Sequence, residues 1–70
     1  MPTLKLWVKG LRHEDEQRIA KRLRAVDGVF AAALSHADEC AEVEFEDDRA
    51  SIDQIRAAIR EAGYESEIAG

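Results

Sequence analysis

The chain is poor in several things that would each have announced a function. It has one cysteine, one proline, one tryptophan, one tyrosine and two phenylalanines in 70 residues. A lone Cys40 excludes a disulfide within the chain and every zinc-finger pattern built on repeated thiols. No apolar run approaches the roughly 20 residues that cross a bilayer. The opening MPTLKLWVKG carries neither the apolar core nor the cleavage site of a secretory signal, so the cytoplasm is the expected location and no membrane is expected as a partner. Gly10 stands alone, which excludes a glycine-rich loop cradling phosphate, and no nucleophile–base pair is apparent. Positive charge is in deficit: 10 Lys and Arg face 15 Asp and Glu, for a formal net charge of −5. Such a surface repels the phosphates of nucleic acids and favours cations or basic partners. A chain of this size buries only about 60% of its unfolded surface, too little for both a core and a deep substrate cavity. It is therefore read as one domain spanning residues 1–70, and as a non-enzyme.

What is present is periodicity. In TLKLWVK, Leu4, Leu6 and Val8 alternate with Lys5, Trp7 and Lys9, the pattern of a half-buried strand, which Gly10 ends. Ile19, Leu23 and Val26 recur at helical spacing, predicting a helix over Glu14–Val26. Glu14, Asp15 and Glu16 occupy its first turn and Lys21, Arg22 and Arg24 its later turns, matching the helix dipole at both ends. Gly28 supplies the left-handed stop. VFAAALS and CAEVEFED, joined by HADE, read as a hairpin with Ala41, Val43 and Phe45 facing inward. Ser51 and Gln54 form a capping box for a second helix with Ile52, Ile55, Ile59 and Ala62 as its buried stripe. Gly63 ends it and YESEI gives a last short strand. The order strand–helix–strand–strand–helix–strand predicts an α+β, ferredoxin-like sandwich: a four-stranded antiparallel sheet with two helices on one face. Trp7 is expected on the other, open face, where a second copy of the chain could pair.

The segments VKGL, DGVFAAALS and AEVEFEDDRASIDQIRAAIREAGYE, taken together, resemble the heavy-metal-associated domain of small copper chaperones and metal-pumping ATPases almost end to end. The resemblance implies a metal-handling protein whose partners are a metal ion and a metal-transport protein. It also implies a Cys-x-x-Cys between the glycine and the first helix, and here the chain departs: the positions read RHEDE. Counted from Gly10, His13 and Glu16 stand where the two thiolates would be. Counted back from the helix, one residue is missing and Asp15 stands in for the second. Leu11 takes the place of the family's methionine, and Tyr64 is expected beneath the loop.

Histidine and carboxylate suit zinc, nickel, cobalt or divalent copper rather than soft monovalent copper. In the expected topology the first and second strands run parallel, so the turn after the second lies at the same rim as the loop after the first. That places His36 and Cys40 near His13 and gives a candidate mixed site of His13, Glu16, His36 and Cys40. A plainer reading makes His13 and Glu16 ordinary residues capping the first turn, and His36 a solvated hairpin residue. The corresponding alternative function is a metal-free interaction or regulatory module that docks a partner through its acidic helix face or its open sheet face.

Overall fold

Alternation builds the first strand, β1 (Thr3–Val8). In the computed structural model, which describes residues 2–69, Leu4, Leu6 and Val8 are buried while Thr3, Lys5 and Trp7 are exposed. A single 3-10 turn (His13–Asp15) leads into α1 (Glu16–Arg24). Then follow β2 (Val29–Ser35), β3 (Cys40–Phe45), α2 (Ile52–Glu61) and β4 (Ser66–Ile68). The strands lie in the order β2-β3-β1-β4, and each neighbouring pair is antiparallel. Ile19 and Leu23 of α1 and Ile55 and Ile59 of α2 share one core with Leu6, Val8, Ala41 and Val43, so both helices cover the same sheet face. Each of these fully buried Leu, Ile and Val side chains contributes about 1.5–3 kcal/mol relative to exposure. The result is the α+β, ferredoxin-like sandwich that the pattern of elements predicts.

Three local expectations differ. The first helix is shorter than Glu14–Val26: its entry tightens into the 3-10 turn and its exit into the cap at Ala25, as helix ends commonly do. Ile52 is 37% exposed rather than part of the α2 stripe. It is the first residue of the helix, and its side chain leans back past the helix end; Ala50 and Ala58 are buried instead. The last strand begins at Ser66, because Tyr64 is drawn into the loop contacts described below. The Ser51–Gln54 capping box is present with both reciprocal bonds, at 3.1 and 2.8 Å.

β1 and β2 both run antiparallel to β3 and therefore point the same way. Their carboxyl ends share one rim of the sheet. There the Val8 amide donates to the carbonyl of Glu39 at 2.7 Å, which places the loop after β1 beside the turn after β2. No helix among the described residues is long and apolar enough to cross a membrane.

Candidate metal centre

Local chemistry fixes the loop first. Gly10 takes a positive φ of 77°, which reverses the chain after β1 at a cost only glycine avoids. Leu11 then turns inward, 6% exposed, and anchors the loop in the core. His13 opens the 3-10 turn and Glu16 opens α1, so a spacing of three puts both side chains on the same side of the turn. The hairpin turn brings His36 to the same place.

Glu16 is the hub. One of its carboxylate oxygens lies 3.1 Å from Nδ1 of His13. The other lies 2.8 Å from Nδ1 of His36 and also accepts the His36 backbone N–H at 2.5 Å. The imidazoles meet edge to face with ring centres 4.9 Å apart. One ligand atom from each of His13, Glu16 and His36 lies within 4.8 Å of the others. The hydrogen bond from the His36 ring, followed by that from its backbone amide, holds the Glu16 carboxyl below the usual carboxylate range. An ionised carboxylate only accepts hydrogen bonds, so an imidazole Nδ1 bonded to Glu16 acts as an N–H donor. The side chain of His13 is 79% exposed and that of Glu16 16%, so the cluster has a sheltered base and an open mouth.

Asp15 faces elsewhere. Its carboxylate accepts from the Tyr64 hydroxyl at 2.5 Å and from Nε and Nη2 of Arg18. The Tyr64 bond, then Arg18, lowers its pKa; the same bond raises that of the Tyr64 phenol. Tyr64 also accepts the Arg12 N–H at 3.3 Å, and Arg18 donates to the carbonyl of Ala62 at 3.0 Å. This network clips the loop to the end of α2, with Tyr64 beneath it as expected. Of the two carboxylates, Glu16 and not Asp15 lies beside His13.

Two further expectations are corrected. Cys40 reaches the right rim but the wrong face. Its neighbour Ala41 points into the core, so Cys40 projects to the opposite side, directly across from Trp7 in the β1–β3 register. The four-residue mixed site is therefore reduced to His13, Glu16 and His36. The capping reading of His13 and Glu16 also fails, because neither the 3-10 turn nor α1 has a side-chain cap at its start. Sequence reasoning passed over Glu39, whose Oε1 accepts the Gly10 N–H at 2.6 Å. The signal was its place as last residue of the hairpin connection, where a left-handed backbone is common.

Two imidazoles and a carboxylate are donors that zinc, nickel, cobalt and divalent copper accept, and they lack the thiolate that monovalent copper prefers. The cluster thus fits a borderline divalent ion by donor type and by spacing.

No protein-family model matches the chain, and neither does any curated protein. Solved structures do. A copper-binding domain from HMA7, a P-type ATPase, superposes with a TM-score of 0.93 at 27% identity, covering 100% of this chain and 96% of that one. Oxidised MerP from Ralstonia metallidurans CH34 gives 0.92 at 26% identity, covering 99% and 97%. The N-terminal domain of a potential copper-translocating P-type ATPase from Bacillus subtilis, in its Cu(I)-loaded state, gives 0.89 at 28% identity, covering 97% and 86%. The chain has the fold of these heavy-metal-associated domains over its whole described length.

Proposed function

We propose that the chain is a small, non-enzymatic metal-binding and metal-trafficking domain that carries a divalent ion rather than monovalent copper. His13, Glu16 and His36 are its donors. The observation that carries this reading is their convergence from two separate turns to within 4.8 Å, at the loop that precedes the first helix. The fold shared with copper-binding domains of metal-pumping ATPases supports it. A metal-transport protein is the corresponding partner.

Calorimetric titration with zinc, nickel and cobalt tests the reading. Sub-micromolar binding, weakened at least tenfold by His13→Ala or His36→Ala and unchanged by Cys40→Ala, is the expected outcome. No heat from any ion would end it.

A second reading rests on a specific observation: Glu16 is already engaged by three hydrogen bonds, two of which, to His36, hold the two turns together without an ion. On that reading the cluster is a structural staple and the domain a metal-free interaction module. Its docking surface is the open groove of about 450 Å³ beside Trp7, lined by Asp38, Glu65 and Glu67.

A further inference from the structure

Glu39 occupies a backbone conformation that its side chain makes unfavourable. Its φ is +51°, and among the described residues no other non-glycine residue is positive. The position closes the connection between β2 and β3, where such left-handed residues are usually glycine or asparagine. Glutamate gains nothing locally there, since a β-carbon at positive φ is crowded against its own carbonyl.

What glutamate adds is reach. Its Oε1 accepts the Gly10 N–H at 2.6 Å, across 29 residues of chain. Its own carbonyl accepts the Val8 N–H at 2.7 Å. One residue thus grips both the last residue of β1 and the glycine on which the histidine loop turns. Gly10 sits at positive φ with nothing within 4 Å of where a β-carbon would be, so open space lies on that side. His36 lies three residues before Glu39 in the same turn, and His13 three residues after Gly10 in the same loop.

We infer that Glu39 is a positioning residue for the candidate metal centre: a latch whose carboxylate, held to the Gly10 amide, keeps the His36 turn against the His13 loop so that both imidazoles reach one ion. A strained residue beside a candidate site points to a role beyond stability. The inference rests on the metal reading for its consequence, but the latch itself is a property of the metal-free protein.

The strain makes the test selective. Glu39→Gly removes the latch and relieves the backbone at once, so a merely structural residue and a positioning residue give opposite signatures. For Glu39→Gly the expected result is a melting temperature equal to or above that of the parent, with zinc affinity, measured by competition with a chromophoric chelator, lowered about tenfold. Glu39→Gln, which still offers a carbonyl to Gly10, should recover most of that loss. In the metal-free protein, NMR should show fast exchange of the Gly10 amide and loss of the His13–His36 ring contact in Glu39→Gly alone. Unchanged ring contact and Gly10 exchange in that variant would overturn the latch, whether or not the parent binds zinc. Parent-like zinc affinity in Glu39→Gly would overturn the positioning role. A parent that binds no zinc but loses the ring contact on substitution would leave the latch standing and remove the metal reading.

Discussion

Glu16 and His36 are bound twice over: one carboxylate oxygen takes both the backbone amide of His36, at 2.5 Å, and its ring Nδ1, at 2.8 Å. The first bond helps seat the hairpin turn, alongside the Glu39 bond to Gly10, and the second aims the imidazole. Because α1 supplies the carboxylate and the β2–β3 turn supplies the imidazole, the site exists only when both elements have docked on the sheet. Its integrity therefore reports on tertiary structure, and several outcomes can be stated in advance.

Acid should loosen the loop before it unfolds the core. Both Asp15 and Glu16 have folded pKa values below their unfolded ones. Each therefore contributes stability that is present above the ordinary carboxylate pKa, about 4, and is lost as pH falls through the depressed folded value. Denaturant midpoints should decline as pH falls below about 5, and Asp15→Asn should make that decline shallower. A decline equally steep in Asp15→Asn would show that the carboxylate is not the group involved.

Alkali should act through the other half of the same bond. The Tyr64 phenol is raised by its hydrogen bond to Asp15. Its contribution is complete below the unfolded tyrosine pKa, about 10, and disappears as pH rises through the higher folded value. Tyr64→Phe should melt lower than the parent at neutral pH and lose less on moving to pH above about 10. Thermal melts of the two proteins at both pH values check this.

Gly28 should tolerate no side chain. Its φ is +95°, and an added β-carbon would lie 2.7 Å from the β-carbon of Arg49 and 3.1 Å from the Ala50 amide nitrogen. Gly28→Ala should destabilise by about 2 kcal/mol or more, combining the left-handed penalty with a contact the backbone must shift to relieve. In a domain this small that lowers the melting temperature by roughly 8 °C or more. Gly63→Ala is the control: it shares the positive φ but has open space around it, and should cost less.

Cys40 should be a shielded thiol rather than a ligand. It is 6% exposed although it lies on the open face of the sheet, and Trp7 stands directly opposite it in the neighbouring strand. Such pairs have β-carbons about 5 Å apart, close enough for an indole to cover a thiol. Reaction with a thiol reagent should be slow in the parent and markedly faster in Trp7→Ala, with zinc affinity the same in both. Equal labelling rates would show that something other than Trp7 covers the sulfur. Light scattering on the same variant tests pairing of the open face: identical monomer masses for the two proteins exclude self-association through Trp7.

The sequence by itself determined the architecture. Alternation at Leu4, Leu6 and Val8, helical spacing at Ile19 and Leu23, the Ser51–Gln54 box and the stops at Gly10, Gly28 and Gly63 are local signals, each readable within a few residues. Their order leaves one economical way to cover a four-stranded sheet. The same topology was enough to bring His36 to the rim where His13 lies. What only the tertiary structure decided was facing and pairing: that Asp15 turns to Tyr64 while Glu16 turns to the histidines, that Cys40 looks away from them, and that Glu39 reaches Gly10. Adjacent residues on a tight turn diverge by roughly 100° or more, and adjacent residues on a strand point to opposite faces. A one-residue difference in where the helix or strand begins therefore reverses the answer. Local patterns do not fix such boundaries to the residue; contacts made across 20 to 49 positions of the chain do.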